Sequence, residues 1–81
     1  MRYNRSNNGL REEHAMHVTV NGEARVVAEG MNILELLDEL GLEEEATVVE
    51  RNGDILDRAT FGATVLAHDD VIELVRFVGG G

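Results

Sequence analysis

Alternating apolar and polar residues begin at Met16, after a segment that shows no apolar period. Residues 16–20 (MHVTV) follow the two-residue period of a half-buried strand. The next pair, Asn21-Gly22, predicts a type I′ turn because both residue types tolerate positive φ. Residues 23–28 (EARVVA) then supply the returning strand. The pattern therefore predicts a β-hairpin at the start of the folded part.

An α-helix is predicted next, within residues 31–41 (MNILELLDELG). The apolar residues of this segment recur at i, i+3, i+4 and i+7, which lines one face of a helix. Asn32 is suited to cap the first turn, and Glu35 completes a capping box. Gly41 can take the left-handed conformation that ends a helix. We expect one helix of about nine residues between these two caps.

The rest of the chain is rich in β-forming residues. A second tight turn at Asn52-Gly53 separates predicted strands at 46–51 and 54–56. Residues 64–66 predict a brief edge strand ahead of a turn. Residues 71–78 (VIELVRFV) are almost continuously apolar. Such a run is typical of a strand in the middle of a sheet, buried on both faces.

This order of elements indicates an α+β protein. Two hairpins separated by one helix, with an apolar last strand to lie between them, predict a mixed four- to five-stranded sheet that grasps one main helix. That is the β-grasp, or ubiquitin-like, architecture. A ferredoxin-like split βαβ fold is the alternative, but it needs a second full helix that residues 57–70 do not show. The expected organisation is a flexible leader at 1–15, a domain at 16–78 and a glycine tail at 79–81.

Composition removes several classes of function. The chain has 81 residues and a net charge of −9; the leader carries +1, so residues 16–81 carry −10. A phosphate backbone or an anionic membrane surface repels such a domain, so neither is an expected partner. The absence of Cys excludes disulfides, thiolate metal sites and a Cys nucleophile. The only Ser, Ser6, lies in the leader, which argues against an acyl carrier with a prosthetic arm. No apolar run is long enough to span a bilayer, so we expect a cytoplasmic protein.

Metal ligation is not predicted. His14 and His17 are three residues apart, but on a strand such neighbours face opposite sides. His68 precedes two aspartates in a turn, for which a solvated loop is an adequate explanation. The aspartates lack the alternating ligand spacing of an EF-hand. No set of side chains predicts catalysis by this chain.

The glycines at the end of the chain are the feature of the sequence that predicts a chemical role. Val78 is followed by Gly79, Gly80 and Gly81, and glycines add nothing to a packed sheet because they have no side chain. A frayed end or a cloning remnant would also explain them. Directly after a central strand, however, they form a thin, mobile stalk that presents an α-carboxylate. Such a stalk is suited to enter another protein's active site, where ATP activates the carboxylate as an acyl-adenylate.

Four segments together resemble the ThiS family, the ubiquitin-like sulfur carrier proteins of thiamine biosynthesis: HVTVNGE, MNILELLDELGL, VVERNGDIL and DDVIELVRFVGGG. The resemblance covers residues 16–81. It implies that an E1-like adenylyltransferase, using ATP and magnesium, adenylates the carboxylate of Gly81. A sulfur donor such as a cysteine desulfurase system then supplies the sulfur of a thiocarboxylate, which is delivered to thiazole synthase. It also implies that Phe77, Val78, Gly79 and Gly80 contact the partner enzyme.

Two other readings of the tail stay open. A carrier for molybdopterin, or for cysteine or methionine sulfur, uses the same terminal chemistry, although the molybdopterin type commonly has prolines before its diglycine and this chain has none. A ubiquitin-like modifier or interaction module would use the same fold without sulfur. It predicts that the glycines are dispensable, or that the product is a conjugate to other proteins.

Overall fold

A five-stranded mixed sheet with one α-helix forms the protein, as seen in a computed structural model that describes residues 14–77. The elements are β1 Ala15–Val20, β2 Glu23–Ala28, α1 Ile33–Glu39, β3 Thr47–Arg51, β4 Asp54–Ile55 and β5 Val71–Arg76, with 3₁₀ helices at Glu44–Ala46 and Arg58–Ala63. The strands lie in the order β2-β1-β5-β3-β4, with β1 parallel to β5 and the other pairs antiparallel. The predicted β-grasp fold is thereby confirmed.

Both predicted Asn-Gly turns are present. Asn21 and Gly22 have φ values of 50° and 84°, and Asn52 and Gly53 have 51° and 91°. Positive φ at both central positions defines a type I′ turn, whose twist matches that of the flanking strands. Of the leader, the structure describes only His14 and Ala15, and β1 begins at Ala15. The predicted tail, together with Val78, lies outside the described residues.

The caps of α1 are those that the sequence predicts. Asn32 Oδ1 accepts from the Glu35 amide at 2.8 Å, and Glu35 Oε1 accepts from the Asn32 amide at 3.0 Å. Gly41 has φ of 74°, and its amide donates to the Asp38 carbonyl. The helix has seven residues rather than about nine, because Leu40 already serves as its C-cap. None of the helices within residues 14–77 is long and apolar enough to cross a membrane.

The core lies between α1 and one face of the sheet. Phe61, which has no periodic pattern around it, is nevertheless one of its most buried side chains, at 1% exposure. It enters the core from the 3₁₀ helix Arg58–Ala63, which begins where the Asp57 carboxylate accepts from the Ala59 amide at 3.0 Å. The buried apolar residues are Val18, Val20, Val27, Ile33, Leu36, Leu37, Val49, Phe61, Leu66 and Ile72.

Two expectations about strands were wrong. Residues 64–66 do not form an edge strand: Val65 makes one isolated bridge to Asn32, and the Leu66 amide donates to the Met31 carbonyl beside the helix start. The central position of β5 is confirmed, but its burial on both faces is not. Val71 and Val75 are 44% and 58% exposed. The reason is that α1 covers one face of the sheet, whereas the described residues leave these side chains on the other face uncovered.

Candidate functional site

Phe77 is the last residue that the structure describes, and it directly follows β5. Its amide donates to the Ala46 carbonyl at 2.8 Å, which extends the β3–β5 ladder one residue beyond the last residue of β5. The ring itself is 55% exposed. The remaining predicted site residues, Val78, Gly79, Gly80 and Gly81, lie outside the described residues. The backbone is therefore held by sheet hydrogen bonding up to the residue that precedes them.

The two faces of β5 have different roles, which its nearly continuous apolar sequence does not reveal. Ile72 is fully buried and Leu74 packs against the core, so this set of alternate residues faces α1. Val71, Glu73, Val75 and Phe77 belong to the opposite set, because successive strand residues point to opposite faces. Phe77 is therefore a surface side chain, and its exposure does not come from fraying of a core position.

Apolar side chains lie together on one face of the sheet beside Phe77: Val75 and Phe77 are exposed, and Val48 is half-buried. We call Val48, Val75 and Phe77 the tail-base patch: Val48 lies directly opposite Val75 on β3, and Phe77 follows on the same face of the sheet. Glu50 and Glu73, opposite each other one step further along the same face, bound it with negative charge. Exposed apolar surface with a polar border is typical of protein-protein contact sites. The composition of this patch is therefore suited to contact with another protein.

The asparagines of the two turns hold β5 in place from both sides. Asn21 Oδ1 accepts from the Leu74 amide at 2.7 Å, and Asn52 Oδ1 accepts from the Val71 amide at 2.8 Å. The backbone N–H groups of both asparagines also donate to β5: that of Asn21 to the Ile72 carbonyl and that of Asn52 to the Val71 carbonyl. Residues that sequence analysis assigned only to turns thus fasten the strand that carries the tail.

A buried carboxylate fixes the start of β5. Asp70 is 4% exposed, and its side chain accepts from Arg51 Nε at 2.9 Å, Asn52 Nδ2 at 3.0 Å and the Ala67 amide at 2.8 Å. Burial opposes ionisation, but the hydrogen bonds from Ala67, Asn52 and Arg51 and the charge of Arg51 outweigh it. Together they hold the pKa of Asp70 below its ordinary value of 3.8. Sequence analysis placed Asp70 in a solvated turn and missed this network.

The histidines do not form a metal centre with other ligands in the described chain. His17 and His68 lie close together, with ring centroids 5.5 Å apart, and His68 Nδ1 accepts from the His17 amide at 3.2 Å. Within residues 14–77, no three His, Asp or Glu side chains are grouped closely enough to hold a metal ion.

A ubiquitin-like fold whose central strand leads into a glycine tail defines a class of small carrier and modifier proteins, and the comparisons with known proteins narrow it. The family model described as "ThiS family" matches residues 18–81, and the chain belongs to that family. A crystal structure of a thiamine biosynthesis protein (ThiS) from Geobacter metallireducens is 42% identical, with a TM-score of 0.70. The match covers 82% of this chain and 100% of that one.

The curated relatives include a sulfur carrier protein and proteins named thiazole synthase. The sulfur carrier protein ThiS of Bacillus subtilis is 43% identical over 49 residues, which are 60% of this chain and 74% of that one. A protein named thiazole synthase from Magnetococcus marinus is 44% identical over 66 residues, 82% of this chain. This chain spans 20% of the length of that protein, and 20% of a second thiazole synthase from Paramagnetospirillum magneticum.

Proposed function

We propose that this chain is a sulfur carrier of thiamine biosynthesis, in which the carboxylate of Gly81 becomes a thiocarboxylate. The observation that carries the proposal is the match of the ThiS family across residues 18–81, which includes the glycine tail. The position of Phe77, the last described residue before that tail, adds support, because its backbone is hydrogen-bonded into the sheet and its side chain is exposed.

The proposed reaction takes place in partner enzymes. An E1-like adenylyltransferase binds ATP and magnesium, and an oxygen of the Gly81 carboxylate attacks the α-phosphorus, releasing pyrophosphate. The terminal sulfur of a donor persulfide, such as that of a cysteine desulfurase system, then attacks the acyl carbon and displaces AMP. A thiol cleaves the resulting acyl disulfide, which leaves the thiocarboxylate on Gly81 and a disulfide between that thiol and the donor. The carrier supplies no acid, base or nucleophile besides its own carboxylate. The proposed compartment is the cytoplasm, which supplies the ATP that the adenylyltransferase uses.

Thiazole synthase is the proposed acceptor of the sulfur. Two relatives that bear this name contain a region similar to this chain over one fifth of their length, which supports a functional link between the two activities. The tail-base patch is the proposed contact surface for these partners, because Phe77 and Val75 are exposed beside the tail. The proposed contact surface thus includes Phe77, and the tail residues Val78, Gly79 and Gly80 are proposed to contact the same partners.

An intact-mass experiment tests the proposal. The protein is incubated with an E1-like adenylyltransferase, ATP, magnesium, a persulfide-loaded cysteine desulfurase and a thiol reductant. The expected product is heavier by the difference between one sulfur and one oxygen, and fragmentation places the change on Gly81. The unreacted protein must end at Gly81 with a free carboxylate, which the same spectrum measures. Conjugates to lysines of other proteins, without the sulfur product, would instead establish the modifier function.

The pathway needs a second readout. Thiocarboxylated protein is supplied as the only sulfur source to a thiazole synthase reaction and, in parallel, to a molybdopterin synthase reaction. We expect sulfur transfer to the thiazole product only. Transfer in the molybdopterin reaction alone would assign the chain to the alternative pathway.

A further inference from the structure

Two arginines, Arg58 and Arg76, lie close to Phe77, the last described residue before the tail. The Glu45 carbonyl accepts from Arg58 Nη2 at 3.1 Å, and the next carbonyl, that of Ala46, accepts from the Phe77 amide at 2.8 Å. Thr47 then pairs with Arg76 across β3 and β5. Arg58 thus donates to a residue next to Ala46, the residue opposite Phe77, and Arg76 is paired with the residue on the other side of Ala46. Successive Cα atoms are about 3.8 Å apart, so both contacts lie within one residue of that position.

These two arginines differ from the others in the described chain. Arg51 is bound to Asp70 at 2.9 Å, and Arg25 lies 3.8 Å from Glu39. Among residues 14–77, Arg58 and Arg76 have no carboxylate within ion-pair distance, even though Glu44 and Glu45 lie on the neighbouring 3₁₀ helix. Both side chains are exposed. The cations of the described chain that are not matched by a carboxylate thus flank the base of the tail.

We propose that Arg58 and Arg76 form an orientation site that binds carboxylates at the mouth of the channel that the tail enters in the activating enzyme. This inference rests on the proposed function. A domain with a net charge of −10 over residues 16–81 is attracted to basic surfaces in many orientations. Two unmatched cations beside the tail favour the orientation in which the tail base meets acidic groups of the partner.

The nucleotide is not the expected ligand of these arginines. Gly81 lies four positions after Phe77, and an extended chain of four residues spans roughly 13 Å. The phosphate of an adenylate on Gly81 is therefore well beyond the tail base when the tail is extended into a channel. Arg58 and Arg76 consequently act on docking and not on the reacting atoms. Their loss should raise KM and leave kcat almost unchanged.

The test compares the full chain with a double variant, Arg58→Gln with Arg76→Gln, in ATP-pyrophosphate exchange by the adenylyltransferase that activates the wild-type protein. At low salt we expect KM for the carrier to rise about tenfold, with kcat within about twofold. At about 0.5 M salt the difference should largely disappear, because exposed charges are screened. Arg25→Gln is the control for a single charge and is compared with Arg76→Gln: each removes one positive charge, and Arg25 lies on β2, at the edge of the sheet opposite β3 and β4.

Each outcome has a separate meaning. An unchanged KM, or a rise in the Arg25→Gln control equal to that in Arg76→Gln, would overturn the orientation site. A fall in kcat without a rise in KM would also overturn it, since that result places the arginines at the reacting atoms. If the double variant melts at a lower temperature because the Arg58 hydrogen bond is lost, Arg76→Gln alone provides the test. Failure of the wild-type chain to be activated would instead contradict the proposed function.

Discussion

Arg51 and Asp70 connect β3 to the start of the strand that carries the tail, through a hydrogen bond of 2.9 Å between Nε and Oδ2. The Asp70 side chain is 5% exposed and that of Arg51 29% exposed, so solvent screens this pair less than it screens a surface ion pair. Because the Asp70 backbone carbonyl also accepts from the Thr19 amide, this residue joins β1, β3 and β5 at one end of the sheet.

Asp70→Asn should lower the free energy of unfolding at pH 7 by about 2 kcal/mol. The carboxylate accepts from Arg51, Asn52 and Ala67, whereas an asparagine directs its own N–H groups at one or more of these donors. Urea unfolding measures the change. The control is Asp69→Asn, at an exposed neighbour with φ of 70°, which asparagine also tolerates. An equal loss in both variants would contradict the assigned network.

The same network predicts a dependence of stability on pH. Since the pKa of Asp70 is lower in the folded protein than its ordinary value of 3.8, its contribution is fully present above that value. It is lost progressively as the pH falls through 3.8 towards the folded-state pKa. Asp70→Asn should remove this component, so the stabilities of variant and wild type should converge in acid. Urea unfolding of both proteins between pH 7 and pH 3 measures it, and a constant difference across that range would refute the assignment.

The two turn asparagines allow side-chain clamping to be separated from turn formation. Asn52→Gly keeps a residue that accepts φ of 51° but removes the bonds to Val71 and Asp70. We expect a loss of about 2 kcal/mol, against about 1 kcal/mol for Asn21→Gly, which removes the single side-chain bond to Leu74. Thermal or urea unfolding gives both values. Losses in the reverse order would show that the side-chain bonds are not what fastens β5.

Local patterns were sufficient to predict the turns and the helix caps, because their determinants lie within a few residues of one another. Asn32 and Glu35, for example, cap α1 from three residues apart. The clamps on β5 were not predictable in this way. Asn21 meets Leu74 across 53 positions of sequence, and Asn52 meets Val71 across 19. Their partners become known only once the strand order is known.

The exposed face of β5 could likewise not be predicted from the sequence of β5 alone. Both alternate sets of β5 contain large apolar residues, such as Ile72 on one face and Val75 on the other. Periodicity decides a face only when the two sets differ in polarity. Here the decision comes from the register of β5 with β1 and β3, which places Ile72 under α1. The apolar run that predicted a fully buried strand is, on one face, the candidate docking surface.

Truncation of the two phenylalanines should affect different properties: Phe61→Ala the stability, and Phe77→Ala the docking of the activating enzyme. Phe61→Ala removes a ring that is 1% exposed, and we expect a loss of about 4 kcal/mol in the free energy of unfolding. Phe77 is 55% exposed, so Phe77→Ala should cost less than about 1 kcal/mol but raise KM for activation about tenfold or more, as truncating a docking aromatic does. Val65→Ala, at an exposed apolar residue outside the sheet, is the control for docking. Normal activation of Phe77→Ala would exclude the tail-base patch as the contact surface.

Removal of Gly80 and Gly81 should abolish activation and leave stability nearly unchanged. The deletion takes away no side chain, and the buried apolar residues of the described chain lie between Val18 and Ile72. It does take away the proposed reacting carboxylate and shortens the reach from Phe77 by roughly 7 Å. Pyrophosphate exchange should therefore fall to background, whereas the melting temperature should move by no more than about 1 °C.

A control that adds one alanine after Gly81 retains a carboxylate but displaces it, and should also be inactive if the channel fixes the position of the terminal carbon. Activation of the shortened chain at the wild-type rate would show that Gly81 is not the residue modified, and a large fall in melting temperature would show that the tail contributes to the fold.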